Sequence, residues 1–237
     1  MFVIHGPMQN QFLFPAFFSL QNKTCLIVGF GRVGMRKLHG LLSANPYSVL
    51  VLDLKPLSSL SKRQIDLLAD RRVRYEVRSC TREDISGCFL VFAATNNKEE
   101  NARIAKLCAN DGVLCNSASC PQDGSFIIPA NITKNNVCLA ISTGGASPAL
   151  AKKWLEEQKL WLDNKASFAL FMGKLRCIIL TTEKNSDLNA NFFRKIVNSS
   201  FEEWFISRNT DKCAAWLQQE LSSDLYNKVK EILYDLT

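Results

Sequence analysis

The chain has 237 residues, 47% of them hydrophobic and 22% charged, and a formal net charge of +7. That is ordinary globular composition, long enough for one large or two to three small domains, and it excludes fibrous and low-complexity classes. The apolar runs break off short of the roughly 18 residues a membrane span needs, so no membrane partner is expected.

The stretch 1–18 is apolar but has no basic leader region and contains Pro7, Asn10, Gln11 and Pro15, so it does not read as a secretory signal. The apolar run 26–28 then leads straight into Gly29-x-Gly31-x-x-Gly34. A helical run follows to Leu42, then a second apolar run, 49–52, that ends at Asp53. A strand before the glycines, a helix after them and an acid about 20 residues on make a dinucleotide-binding fingerprint. Gly29 allows the tight turn, Gly31 lets the backbone approach a pyrophosphate, and Gly34 lets helix and strand pack closely. The helix start offers unpaired N–H groups to the phosphates, with Arg32 and Val33 inside the same loop. Asp53 is placed for the ribose hydroxyls and favours NAD over NADP, a preference that neighbouring Lys55 weakens; Leu54 follows it at the strand end.

Further strands are expected at 73–78, 89–93 and 113–116, alternating with helices at 60–69 and 98–111. Such alternation predicts βαβ units and a Rossmann-like parallel sheet. The run 89–94 is apolar on both faces, as a central parallel strand should be. It ends at Thr95 and Asn96, which either touch the cofactor beyond the strand ends or cap the next helix. Asn116 stands at the end of the following strand. After Pro121 the pattern changes. Segments 126–132 and 137–142 flank Lys134-Asn135-Asn136 and read as a hairpin whose first strand, holding Pro129, lies at an edge or bulge. A lone hairpin is marginal in water, so a second chain or a neighbouring domain should cover it. Next, Thr143-Gly-Gly-Ala-Ser-Pro-Ala149 enters a helix expected to run to about Lys159; it is either a second anion site or a plain helix start. From Trp161 onward only helices are expected, with a polar linker at 181–191. The organisation predicted is a nucleotide-binding domain at 1–125, a dimerisation segment at 126–160 and a helical domain at 161–237.

The nine cysteines are an odd number without a C-x-x-C pair. They read as reduced thiols, which points to a cytoplasmic chain. The two histidines, His5 and His39, lack zinc-ligand spacing, and no metal ligand is assigned. The positive charge suits nucleic acid or an anionic small substrate. Basic residues such as Arg71, Arg72, Arg74, Arg78, Lys152 and Lys153 form no stripe interleaved with aromatics, which speaks against nucleic acid.

Several segments occur together in one order: Phe14-Pro-Ala-Phe-Phe-Ser-Leu20, the glycine loop with Arg36-Lys37, Ala93-Ala-Thr-Asn96, Cys115-Asn116, Ser125-Phe-Ile-Ile-Pro-Ala130 and Ala140-Ile-Ser-Thr-Gly-Gly-Ala-Ser-Pro148. Over roughly residues 12 to 160 the chain thereby resembles the precorrin-2 dehydrogenases of sirohaem synthesis. The resemblance implies NAD-dependent oxidation of precorrin-2, an anionic tetrapyrrole, to sirohydrochlorin. It also implies a homodimer with interlocked central segments and, in some members, insertion of ferrous iron. Thr143 matches a Ser or Thr position near the family's active cleft. One departure stands out: the family often carries a catalytic aspartate where this chain has Ser119. Serine is a poor base unless activated, which leaves Asp123, otherwise a turn residue, or water to take the proton. A dimer that binds NAD and tetrapyrrole without turning them over is the competing expectation.

Overall fold

The computed structural model describes residues 13–236. The expectations for residues 1–12, including His5 and most of the leader reading, lie outside the described residues. The chain divides into two compact units, the first Phe14–Ile128 and the second from Pro129 onward.

The first unit is a five-stranded parallel sheet of β1 (Thr24–Val28), β2 (Ser48–Asp53), β3 (Val73–Val77), β4 (Leu90–Ala93) and β5 (Leu114–Ser117), in the order β3-β2-β1-β4-β5. This is the Rossmann arrangement, with the switch in strand order between β1 and β4. All four residues of β4 are buried, as a central strand requires. Alternate residues of the central strands face two cores. Cys25, Ile27, Leu90 and Phe92 pack with Leu38 and Leu41 of α1 (Arg32–Ser43), whereas Leu26, Val28, Val91 and Ala93 pack with Ile104, Ala105 and Cys108 of α4 (Lys98–Asn110). Two shorter helices, α2 (Lys62–Leu68) and α3 (Arg82–Ile85), complete the crossovers. Each begins with a capping box, Ser61 with Gln64 and Thr81 with Asp84.

The second unit begins with an antiparallel hairpin of β6 (Ala130–Lys134) and β7 (Val137–Ile141). The first strand starts four residues later than the apolar pattern suggests, directly after Pro129, which cannot donate to a ladder. Five helices follow α5 (Pro148–Glu157): α6 (Lys159–Thr182), α7 (Ser186–Val197), α8 (Phe201–Ile206), α9 (Thr210–Glu220) and α10 (Ser223–Leu236). The polar linker expected at 181–191 shrinks to residues 183–185. α6 runs through Thr182, and Asn185 caps α7 by accepting hydrogen bonds from the Asp187 and Leu188 amides. Polar residues there supply a helix terminus and an exposed face. The helical core centres on Phe168, Phe171, Phe201 and Phe205, with Phe171 5.1 Å from Phe205 and 5.7 Å from Phe201 between ring centroids. Among the described residues no helix is long and apolar enough to cross a membrane, and all nine cysteines are free thiols.

Candidate functional site

The carboxyl ends of β1, β2, β4 and β5 carry two polar constellations. The first is the glycine loop. The Gly29 amide extends the sheet ladder by donating to the Leu52 carbonyl at 2.7 Å. Gly29 has φ +94°, and a Cβ there would lie 2.5 Å from the Ala94 carbonyl oxygen. A Cβ on Gly34 would collide with the carbonyl of Gly29. Glycine at these two positions therefore lets α1 start hard against the strand end. Gly31 differs: nothing lies within 4 Å of the place its Cβ would occupy. It caps α1 with no side-chain hydrogen bond and no acidic residue in the first turn, so the first amides, beside exposed Arg32 and half-buried Val33, face open space. That is the cradle an anionic diphosphate needs.

Asp53 braces this loop. Its Oδ2 accepts from the Phe30 amide at 2.5 Å and its Oδ1 from the Lys55 amide at 2.9 Å. Each carboxylate oxygen keeps a further lone pair for a ligand hydroxyl. Leu54, beside it, is 72% exposed at the rim. Two residues that sequence reasoning missed complete the brace. Gln64 Nε2 donates to the Phe30 carbonyl at 2.6 Å, and the Tyr75 hydroxyl donates to the Lys55 carbonyl at 2.6 Å. Gln64 falls within the helix expected at 60–69, and its spacing from Ser61 is that of a capping box, but nothing in that pattern marks it as a loop anchor. On α1, burial and the neighbouring Arg36 charge push the Lys37 ammonium down to about 8, and it lies 5.5 Å from the Phe92 ring centroid.

The second constellation joins the loops after β4 and β5 through Asn101, which is fully buried. Asn101 Oδ1 accepts from the Thr95 amide at 3.0 Å and lies 2.7 Å from Thr95 Oγ1; its Nδ2 donates to the Thr95 carbonyl at 3.0 Å and to Ser119 Oγ at 3.2 Å. Asn101 was not among the expected site residues. The signal was present: Asn101, Ile104, Ala105 and Cys108 fall at helical spacing on the buried face of α4. Neither Thr95 nor Asn96 caps α4. The cap is Asn97, whose Oδ1 accepts from the Glu100 amide at 2.9 Å, and Asn96 is exposed beyond the strand end. Asn116 is nearly buried and donates its side-chain amide to the Phe126 carbonyl at 3.0 Å, fixing the chain that leaves the sheet.

Ser119 and Asp123 are kept apart in role. Ser119 belongs to the Asn101 network. Asp123 is exposed in a single 3-10 turn and lines a cavity of about 140 Å³ with Ala105, Ala109 and Val113, residues at the far end of α4 and before β5. Thr143 lies in the second unit, where its hydroxyl accepts from the Ser147 amide at 3.0 Å and donates to the Ser147 carbonyl at 3.1 Å. That staple holds the loop from which Ser147 caps α5, its Oγ accepting from the Leu150 amide at 3.2 Å. Among the described residues no cluster of three or more His, Cys, Asp or Glu is arranged to hold a metal ion.

Comparisons with known proteins follow the same division. The family described as "Putative NAD(P)-binding" matches residues 16–130, the span that carries both constellations. The siroheme synthase of Psychromonas ingrahamii is 28% identical over 214 residues, 89% of this chain and 44% of that protein. The siroheme synthase of Methylococcus capsulatus is 38% identical over 142 residues, 59% of this chain and 28% of that protein; that of Nitrosococcus oceani is 33% identical over 139 residues, 58% of this chain and 28% of that protein. The chain thus spans less than half the length of these relatives. A solved structure titled "SirC, precorrin-2 dehydrogenase" shares the fold with a TM-score of 0.68 at 21% identity, covering 94% of this chain and 100% of that one.

Proposed function

We propose, for a chain that belongs to the precorrin-2 dehydrogenase family, that it oxidises precorrin-2 to sirohydrochlorin with NAD as the acceptor. The observation that carries the reading is the glycine loop: a cradle with open space over Gly31, bare amides at the start of α1 and a braced carboxylate at the end of β2. These residues fit a pyridine dinucleotide. The α1 amides hold the diphosphate, and Asp53 accepts from the ribose hydroxyls and disfavours a 2′-phosphate by charge. When bound, NAD supplies a hydride acceptor. The protein's part is to hold the tetrapyrrole against it, with Ser119 at the carboxyl end of the sheet as a candidate contact, and to let the released proton leave. A surplus of Lys and Arg, +7 overall, attracts a substrate rich in carboxylates.

The working unit in this reading is a homodimer in the cytoplasm. Among the described residues the hairpin forms a sheet of two strands. In the same unit Trp154, Leu160 and Trp161 are 43%, 72% and 45% exposed, apolar surface of the kind a second copy covers. Purified protein mixed with precorrin-2 and NAD is expected to give reduced cofactor and sirohydrochlorin in equal amounts. A Gly31→Asp variant, which places a carboxylate where the diphosphate sits, is expected to lose both. Turnover no faster in the wild type than in that variant rejects the reading.

A further inference from the structure

We infer that Asn101 is a positioning residue that turns Ser119 into a hydrogen-bond donor aimed at an acceptor oxygen of the bound ligands. The argument rests on which atoms can donate. The Thr95 backbone N–H can only donate, so the Asn101 atom 3.0 Å from it is the amide oxygen. The other end of the side chain is therefore the NH2 group, and the Thr95 carbonyl, which can only accept, takes one of its hydrogens at 3.0 Å. Its second hydrogen goes to Ser119 Oγ at 3.2 Å. Ser119 is thereby an acceptor toward Asn101, and its own hydrogen must point elsewhere. Among the described residues the one side-chain acceptor near it is Ser117 Oγ, at 3.5 Å, and that atom itself accepts from the Cys120 amide at 3.4 Å. At 3.5 Å the Ser117 contact is too long to hold the Ser119 hydrogen firmly, so that hydrogen can turn to a ligand.

The burial of Asn101 fits this use. A fully buried amide must have every hydrogen satisfied, and here one of the partners is a half-exposed hydroxyl at the end of β5. The arrangement fixes both the place of Ser119 and the direction of its hydrogen. It also gives Ser119 a role that serine chemistry suits. Among the described residues its side-chain partners are Asn101 and Ser117, neither of them a base, so it serves as a neutral donor. A tetrapyrrole carboxylate and the carboxamide oxygen of a nicotinamide are the acceptors of the right chemistry. This inference rests on the dehydrogenase reading above.

The test uses the full chain and compares wild type, Ser119→Ala, Ser119→Thr, Asn101→Asp, Asn101→Ser and the double variant Asn101→Asp/Ser119→Ala. NAD affinity, kcat, KM for precorrin-2 and thermal melting are measured on each. Ser119→Ala is expected to weaken one ligand interaction about 10-fold, a hydrogen bond to a charged or polar acceptor. The loss falls on kcat or KM for precorrin-2 if the acceptor is a carboxylate, and on NAD affinity if it is the carboxamide. The pH profile of kcat keeps its shape, because a donor hydroxyl does not titrate. Ser119→Thr keeps most of the activity. The asparagine variants lose about the same factor as Ser119→Ala, and the double variant loses no more than the worse single variant. Asn101→Ser reports on the same link if the buried carboxylate of Asn101→Asp prevents folding. Ser119→Ala within 2-fold of wild type in every constant overturns the inference and leaves the dehydrogenase standing. So do losses that multiply in the double variant, the mark of a merely structural Asn101. A wild-type protein that does not oxidise precorrin-2 sinks the dehydrogenase reading and this inference together.

Discussion

The sheet unit and the helical unit both bury apolar clusters, but they differ in the polar groups they bury. Three nearly buried polar residues of the sheet unit, Asn101, Asn116 and Ser117, gather around the carboxyl ends of β4 and β5. The helical unit buries Asn189, which donates to the Glu183 carbonyl at 3.0 Å and closes the turn between α6 and α7. Burying a polar group is unfavourable unless it is bonded. Among the described residues of the helical unit that cost is met once, for a turn. In the sheet unit it is met repeatedly beside one face, where a ligand is expected. The glycine loop shows the same bias from the other side, with amides at the start of α1 that have no side-chain cap among the described residues.

The largest expected effect is on the glycine loop. Gly34→Ala drives a Cβ into the Gly29 carbonyl, a backbone atom that cannot swing aside. Either α1 or the loop must move, which costs on the order of 3 kcal/mol and lowers NAD affinity at least about 100-fold, since the cradle depends on that close approach. Gly31→Ala has open space for its methyl group. Its melting temperature is expected to stay within a degree or two of wild type while NAD affinity still falls. Calorimetric titration and thermal melting of the two variants separate packing from ligand approach. Equal stability losses in both would break the distinction between the two glycines.

Phe171→Ala in the helical core comes next, because its effect is on stability alone. Phe171 is fully buried among aromatic rings, and truncating it costs about 3 to 5 kcal/mol. NAD affinity is expected to stay unchanged, because the cradle lies wholly within the sheet unit. A large shift in NAD affinity would show that the two units do not keep their tasks apart. Added NAD should raise the melting temperature of the sheet unit by mass action whether or not Phe171 is present.

The contrast also explains what the sequence reveals. The parallel sheet, its central β4 and the glycine loop are legible because each depends on a spacing: apolar runs of strand length, three glycines and an acid. The five helices after α5 are legible from their apolar stripes, yet the stripes say nothing of function. Asn101 escapes because its role depends on two loops that lie far apart in sequence and meet only in the fold. Thr95 and Asn96 were placed at the right strand end, but spacing does not say that Asn97 takes the cap. The break expected at 181–191 falls in the right place but is too long, because polarity on one side of a helix looks like a loop when the buried side is sparse.

Lys37 gives a smaller and opposite effect. Burial, then the Arg36 charge, lowers its ammonium from 10.5 to about 8. The charged form is therefore disfavoured in the folded chain. The penalty is full below pH 8 and is relieved as pH rises from 8 toward 10.5, so stability contributed at this site rises through that window. Lys37→Met is expected to stabilise the sheet unit by about 2 kcal/mol at pH 7, with the gain shrinking above pH 8. Urea unfolding at several pH values reads both signs. A destabilised Lys37→Met variant would mean that the contact with the Phe92 ring outweighs the cost of burying the charge.

The smallest effect separates a structural ion pair from the candidate site. Arg78 grips Asp84 with both nitrogens, Nη1 to Oδ2 and Nη2 to Oδ1, each at 2.7 Å. The same carboxylate accepts from the Thr81 amide at 2.8 Å and so caps α3. These bonds, the arginine first, hold the Asp84 carboxyl down from 3.8 to about 2. A depressed carboxyl adds stability that is complete above pH 4 and is lost as the pH falls through 2. Solvent reaches the arginine side, where the side chain is 39% exposed, so the contribution is about 1 kcal/mol rather than the full value of the shift. Asp84→Asn should therefore lower stability modestly at pH 7, and the gap between variant and wild type should close between pH 4 and pH 2. Because Asp84 lies on the crossover between β3 and β4, away from the glycine loop, NAD affinity is expected to be the same in both proteins. A loss of affinity in Asp84→Asn would place this ion pair within the working apparatus of the sheet unit and erase the line between its scaffold and its site.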